Sequence, residues 1–472
     1  MIVRRVKALS IVLAALPLLP IEAQQTTVDT LVRAFIARQK IPGAAIAVVH
    51  NGRIVVSGGY GTANLELNVP VTRESVFEIG SISKLLTAAA TMRLVEQAKI
   101  ALGDPISRYV PGLPTTWSAV TVGHLVTHTG GVPDWESKTA FSYRSEYTAA
   151  DFVKLIAPLP LDFAPGDRFT YTNSGAPLLG IAIATVSGLP FERFVSEQLF
   201  APVGLKATRF KNNDEVVPSK AGGYVDSAGT LKGGEPKRPS IIAPSGGAMS
   251  TAEELARWMY ALGTGALLKP SSVEQMLTPV RLNNGMAMSA GIGVFLDSFH
   301  GHRTVLHNGS TVGGFSSVVY WYPDERLAVA VLFNIDRFNA VNTLATRLAG
   351  VVVPGLSISS LTERADPDPA FSRRLLQLLK AVAERRDDDM LANFFRVPGG
   401  APRTNPSFGF AGAPDKFAFL EREDMGAEGT ARFGNVIRWI YRYRLVTNGR
   451  NIDYTFEVNT DGKIARFLAE SQ

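Results

Sequence analysis

Ser81-Ile82-Ser83-Lys84 is the one S-x-x-K in the chain. A hydroxyl and an amine three residues apart share a helix face, so the amine can take the hydroxyl proton and leave an oxygen nucleophile. Tyr171-Thr172-Asn173 is the one Y-x-N, and it follows the turn-forming Ala164-Pro165-Gly166-Asp167. A phenol beside a lysine ammonium can relay a proton, and an asparagine two positions on can hold the lysine and donate to a substrate carbonyl. Five K/H-x-G triplets occur, at 50, 128, 220, 232 and 307, the first of them in an Asn-Gly hairpin turn. Of the other four, only His307-Asn308-Gly309 sits on a strand-like run, where a backbone N–H can face a substrate oxygen and Gly309 can let the substrate approach. His124 and His128 are spaced i, i+4, but without the glutamate of H-E-x-x-H they read as a packed, hydrogen-bonded pair rather than a metal site. No G-x-S-x-G elbow is present, which argues against an α/β-hydrolase.

The elements that must carry these residues follow from periodicity. Ser81 opens a helical stretch to about Ala98 whose apolar residues cover nearly its whole circumference, so the helix is expected to be buried. Unpaired N–H groups at its start favour developing negative charge. Lys84, among Leu85, Ala88 and Ala89, is expected to lack water and to serve Ser81 as a neutral base. Ala44–Val49 and Ile54–Val56 flank Asn51-Gly52, a hairpin signature. Strand patterns return at Gly291–Phe295, Arg303–Leu306, Phe315–Tyr322 and Leu327–Asn334. Residues 104–270 alternate loops with helical segments, including amphipathic runs at Phe191–Leu199 and Ala252–Leu262. The expectation is an α+β domain in which both ends of the first 350 residues supply an antiparallel sheet, with a helical subdomain inserted.

Two further segments stand apart. Arg4, Arg5 and Lys7 precede an apolar run, Ala8–Leu19, and a small residue at Ala23, which is the layout of a signal peptide over 1–23. Its loss would change the net charge from +6 to +6 − 2 = +4. There is no dense basic tract for nucleic acid and no later span long enough for a membrane. The chain has no cysteine, hence no disulfide, thiolate metal site or lipoprotein anchor. No cofactor or metal is expected. Residues 24–355 are read as the domain that carries the three triplets, 356–368 as a linker, and 369–472 as a second α+β unit. There Phe371, Leu375, Leu378, Leu379 and Val382 mark a helix, and Met390–Phe395 reads as a second short helix. Alternation over Ile437–Leu445, Ile452–Val458 and Lys463–Leu468 gives an antiparallel sheet with one apolar and one charged face, a pattern resembling the NTF2-like cone fold.

The three triplets in this order resemble the serine β-lactamase and penicillin-binding protein superfamily, and most closely its class C-related branch of esterases and D-stereospecific peptidases. Flanking phrases agree: Phe77-Glu78-Ile79-Gly80, the run from His124 to Gly131, and the run from Gly246 to Ala252. The resemblance implies a β-lactamase-like fold over roughly 30–350, Ser81 as acylated nucleophile, and Lys84 and Tyr171 as shared base. It also implies Asn173 as positioner and an oxyanion hole from the N–H groups of Ser81 and Ser310. His307 departs from the lysine usual in β-lactamases. A histidine of ordinary pKa is mostly neutral at pH 7 and gains charge towards pH 6, a poor grip on carboxylates. The expected substrate is therefore a small ester, amide or D-peptide, with β-lactams or peptidoglycan peptides as the alternative. A non-catalytic sensor is the other alternative. Export to the periplasm or medium is expected, and oligomeric state is left open.

Overall fold

A computed structural model describes residues 21–210, 214–235, 241–392, 404, 408–426, 430–432 and 435–471. The basic and apolar parts of the expected leader therefore lie outside the described residues. The first described element, α1 (Ile21–Gln39), crosses Ala23 without a break. Val28, Val32, Phe35 and Ile36 make its buried face at helical spacing. This helix was not read from the sequence.

β1 (Gly43–His50) and β2 (Arg53–Asn64) form the expected hairpin, with His50 opposite Arg53 across two residues. Asn51 (φ +51°) and Gly52 (φ +80°) are both left-handed, as a type I′ turn requires. β3 (Val69–Pro70) lies beside β2, and β4 (Phe77–Glu78) leads into α2 (Ile82–Glu96). In α2, every residue from Ile82 to Met92 is buried, as is Leu94. Fully burying each of its leucines stabilises the fold by about 1.5–3 kcal/mol. α3 (Gly175–Ser187) packs against α2, and β5 (Ala248–Ser250) pairs with β4. α4 (Ala252–Gly263) follows, held at its start by the Thr251 side chain accepting from Glu254 N–H.

β6 (Phe295–Phe299), β7 (His302–Thr311), β8 (Phe315–Tyr322) and β9 (Leu327–Phe333) complete a seven-stranded antiparallel sheet of order β3-β2-β1-β9-β8-β7-β6. The N- and C-terminal contributions meet where β1 pairs with β9, Ala44 opposite Phe333. Side chains alternate between two cores. Ala45, Ala47 and Val49 face α2 and α4, whereas Ile46 and Val48 face α1 and α5 (Phe338–Val352). Covered on both sides, the central strands read as continuous apolar runs. One expected strand moves. Residues 292–294 form bends, with Gly293 at φ +69°, and the strand starts at Phe295. The amphipathic run at 191–200 is helical to Val195 and then widens into a π turn, Ser196–Phe200.

After two short 3₁₀ turns, α6 (Pro369–Ala383) packs its Leu375, Leu378, Leu379 and Val382 on a second sheet. Asp368 caps it by accepting from Phe371 N–H. The sheet comprises β10 (Lys416–Asp424), β11 (Thr430–Arg432), β12 (Asn435–Thr447), β13 (Arg450–Asn459) and β14 (Ile464–Ser471). Their order is β10-β12-β13-β14, with β11 also on β12. Over Met390–Ala392, the described part of the expected helix Met390–Phe395, there is no helix. Met390 lies in a turn, and Leu391 pairs as a bridge with Ile464. Ile464 N–H donates to Met390 O at 2.6 Å, so sheet-edge pairing takes the backbone groups a helix would need. Residues 393–395 lie outside the described residues. No single helix among the described residues is long and apolar enough to cross a membrane.

Candidate active site

Gly80 turns the chain into α2 at φ +51°, and a Cβ there would stand 2.9 Å from Ser310 N. Glycine meets both the conformation and the contact. Ser81 follows as N-cap, half-buried, with φ −63° and ψ −6°. Its carbonyl accepts from Lys84 N–H at 2.9 Å, while its own N–H is among the donors a helix start leaves unpaired. Ser83 is a strut rather than a competing nucleophile. It is buried, donates to Gly80 O at 2.7 Å and accepts from Ala248 N–H at 3.0 Å.

Lys84 is 4% exposed. Nζ donates to Ser81 Oγ at 3.1 Å, to Asn173 Oδ1 at 2.6 Å and to Ser245 O at 2.8 Å. Its methylene stem is in apolar surroundings as expected, but its tip is ringed by oxygen. Three oxygens thus stand around Nζ. The expected unsolvated setting is corrected in that respect, because the protein itself supplies polar partners for the amine. The Ser245 carbonyl comes from the turn preceding β5. Thr87 Oγ1, one turn along α2 from Lys84, ties that turn down by donating to Pro244 O at 2.8 Å.

Tyr171 presents its ring to Nζ with the centroid 5.0 Å away, and is 38% exposed at the mouth of the site. Asn173 is fixed at both ends of its amide. Oδ1 accepts from Lys84, Nδ2 donates to Glu136 Oε2 at 3.0 Å, and the backbone N–H donates to Asp134 Oδ1 at 3.1 Å. Glu136 is held in turn by the Tyr143 hydroxyl at 2.6 Å. Ser174 is fully buried, with its hydroxyl committed to Pro133 O and Trp135 N–H.

Asp134, Glu136, Tyr143 and Ser245 escaped sequence reasoning. They lie 37 residues from Asn173 in the case of Glu136, and 161 from Lys84 in the case of Ser245. No spacing rule reaches that far, and one of the contacts is a backbone carbonyl, which carries no residue-type signal.

His307 is 2% exposed, and its Nδ1 lies 2.7 Å from Asn308 O. Its ring lies 5.5 Å from that of Phe295 and 6.5 Å from that of Tyr171. Burial, reinforced by the Lys84 charge, pushes its pKa down to about 3. The expectation of a histidine that charges towards pH 6 is corrected: this imidazole is neutral throughout the ordinary working range. Gly309 also has a different reason from the one expected. A Cβ there would meet Ile79 O at 2.0 Å, so the glycine lets β7 press against the segment leading to Ser81 rather than making room for substrate. Ser310, exposed, follows it and sets its backbone against Gly80. Lys232 also lies on a strand, Thr230–Gly233, but that strand is exposed along its length.

The two histidines of the i, i+4 pair separate. His124 Nδ1 accepts from Thr121 N–H at 3.2 Å, completing a capping box. His128 has a buried Nδ1 with no partner, and its ring lies 4.6 Å from that of Tyr171. Among the described residues no group of three or more His, Cys, Asp or Glu is placed to hold a metal ion.

The arrangement can perform acyl transfer: a hydroxyl at a helix mouth, an amine and a phenol beside it, and the backbone of β7 pressed against the segment that carries the hydroxyl. The family described as beta-lactamase matches residues 28–353. The chain belongs to the beta-lactamase family. It is accordingly of serine hydrolase type, and Ser81, Lys84, Tyr171, Asn173, His307, Gly309 and Ser310 all fall inside the matched span. Among curated relatives, "Penicillin-binding protein 4*" of Bacillus subtilis is 29% identical over 306 residues, covering 61% of this chain and 67% of that one. "Protein flp" of Staphylococcus aureus strain MRSA252 is 25% identical over 66% of this chain and 63% of that one. The chain thus spans about two thirds of their length. Among solved structures, a penicillin-binding protein from Bacillus halodurans superposes with a TM-score of 0.59 at 28% identity, covering 67% of this chain and 98% of that one. An octameric penicillin-binding protein homologue from Pyrococcus abyssi superposes with a TM-score of 0.61 at 21% identity, covering 94% and 99%. A D-amino acid amidase from Ochrobactrum anthropi gives 0.60 at 23% identity, covering 71% and 99%. The last two share the fold with this member of the beta-lactamase family.

Proposed function

We propose that this protein is an exported hydrolase that forms an acyl-enzyme on Ser81, acting on esters or amides without a carboxylate beside the scissile bond, D-amino-acid amides and D-peptides among them. The observation that carries the reading is the Ser81 Oγ–Lys84 Nζ–Asn173 Oδ1 chain at the mouth of α2. Ser81 Oγ attacks the carbonyl carbon, and its proton passes to the Lys84–Tyr171 pair. The tetrahedral oxyanion takes the N–H groups of Ser81 and Ser310, each such donor contributing about 3–4 kcal/mol to lowering the barrier. The proton then goes to the departing alcohol or amine. Water, activated by the same pair, hydrolyses the ester on Ser81 and regenerates the hydroxyl. The restriction on substrate charge rests on His307, a neutral ring where a fixed cation would hold an anion.

A fluorophosphonate probe is expected to add to Ser81, and Ser81→Ala should abolish both labelling and hydrolysis of p-nitrophenyl acetate. Labelling at another serine, or full turnover by Ser81→Ala, overturns the reading. The names of the relatives support a second reading, a penicillin-interacting enzyme. Nitrocefin and D-alanyl-D-alanine peptides turned over faster than esters and amides would put it first. Export rests on the basic-then-apolar N-terminus. The protein recovered from the periplasm or medium of an expressing cell should begin at Gln24, and an uncleaved chain retained in the cytoplasm would refute export.

A further inference from the structure

We propose that His128 is a positioning residue for the catalytic tyrosine: the packing of its imidazole against Tyr171, together with its carbonyl bond to Thr170, sets where the phenol lies relative to Lys84. The inference rests on the role given to Tyr171 above and adds a residue to it.

Two contacts carry the proposal. The His128 carbonyl accepts from Thr170 N–H at 2.9 Å, so the turn after the short helix Val122–Val126 is stitched to the residue before the tyrosine. Next to it, Thr129 O accepts from Gly166 N–H at 2.8 Å and holds the start of the same loop. Independently, the His128 ring lies 4.6 Å from the Tyr171 ring at 34°. Phe169 braces His128 edge-on at 5.9 Å and 72°. Tyr171 is 38% exposed and comes from an irregular segment, and the other rings beside it, Phe295 at 6.2 Å and His307 at 6.5 Å, stand farther off than His128. The tyrosine ring is then the surface Lys84 Nζ meets at 5.0 Å.

Histidine carries a cost here if the position only fills space. The left-handed backbone, φ +56°, is not that cost, because histidine is among the residues enriched there. Its Nδ1 is buried with no hydrogen-bond partner, which a phenyl ring would avoid. Besides the Tyr171 phenol, Lys84 and His307 face it, and both oppose its protonation; burial is the larger cause, and together they push its pKa down to about 3. The ring that touches Tyr171 is thus a neutral, flat one, and it adds no positive charge next to the lysine.

The test uses two substitutions that divide backbone from ring. His128→Asn keeps the left-handed backbone and removes the ring. His128→Phe keeps a flat ring and removes the nitrogens. With p-nitrophenyl acetate as substrate, His128→Asn should lower kcat by about 10–100-fold, the scale of a misplaced catalytic group, with KM changed by less than about threefold. His128→Phe should recover most of that kcat. In a Tyr171→Phe background, His128→Asn should cost little more, because the group it positions is already gone. Wild-type kcat in His128→Asn, an equal loss in the Tyr171→Phe background, or failure of the phenyl ring to rescue a folded variant would each overturn the proposal. The two readings remain separable. If Ser81→Ala abolishes turnover and Tyr171→Phe impairs it while His128→Asn is silent, the hydrolase stands and only the positioning role falls.

Discussion

His307 shows how a site residue of the right type can sit in the right place with a property the residue type does not reveal. Its imidazole is enclosed by Phe295, Tyr171 and its own strand, with Lys84 near enough to oppose a second cation. With the folded pKa near 3 and the unfolded value near 6.5, the unfolded chain binds more protons in that interval, so this group withdraws stability as pH falls from about 6.5 towards 3. Between pH 5.5 and 8 it stays neutral. Acylation of Ser81 by benzylpenicillin should therefore be slow and should show no rise as pH falls from 8 to 5.5. His307→Lys should speed acylation by the penicillin and leave a p-nitrophenyl ester nearly unaffected as a binding partner. Second-order acylation rates for both compounds and both proteins check this. A penicillin rate that climbs below pH 7 in the native enzyme would mean that His307 charges there after all. From sequence, only the departure from lysine was visible. The depth of burial that decides the charge is made by Phe295 and Tyr171, which come from elsewhere in the chain.

At the scale of elements, the site depends on how closely three segments approach: the turn into α2, strand β7 and the turn before β5. Backbone meets backbone there, so glycine is the residue that sets the distance. Gly309 faces Ile79 O, where an added Cβ would lie at 2.0 Å, with Ser317 Oγ at 2.5 Å. Gly309→Ala must push β7 away from the segment that carries Ser81, parting the two backbone donors assigned to the oxyanion. Loss of one such donor costs about 10²–10³-fold in kcat, and the substitution should approach that loss while Lys84 keeps its bonds to Asn173 and Ser245. Single-turnover acylation by p-nitrophenyl acetate measures it, and an unimpaired rate would detach Gly309 from the oxyanion geometry. The buried α2, the β1–β2 hairpin and the strands after Phe315 were readable because local period and turn chemistry agree with the fold. Two elements were not. α1 carries its four buried apolar residues among polar ones next to the apolar leader pattern, which drew the reading towards export. The segment at Met390 has helix-compatible residues, but an open edge at Ile464 offers its backbone better partners.

For the whole molecule, the sheet after Pro369 reads from sequence as having one charged face, and part of that face is covered. Arg442 is 2% exposed and Glu421 5%, and they pair with each other. Arg442 also bonds Glu423 at 3.1 Å, and its guanidinium stands 4.6 Å over the Phe299 ring. Glu421 reaches His300 Nδ1 at 2.5 Å, and Glu423 accepts from Ser298 at 2.8 Å. The covering surface is thus the end of β6 and its turn into β7, the edge of the hydrolytic sheet whose other end, Phe295, borders His307 and Tyr171. Alternation reports which residues share a face but not what that face meets, so the contact was hidden in the sequence. Burying these ions is tolerable only while each keeps its partner. Arg442→Ala removes the one cation shared by two carboxylates, one of them buried. It should destabilise the C-terminal unit by about 3–5 kcal/mol. Urea unfolding of the C-terminal unit, followed by the fluorescence of Trp439 in a background whose other four tryptophans are replaced by phenylalanine, should shift to lower denaturant, and limited proteolysis should open the stretch at 356–368 first. Fluorophosphonate labelling of Ser81 should survive, because Gly80, Lys84, Asn173 and Ser245 make no bond to this cluster. An unchanged unfolding midpoint would show that water or a rearranged side chain replaces Arg442, and that its pairing with the two carboxylates does not hold the C-terminal unit together.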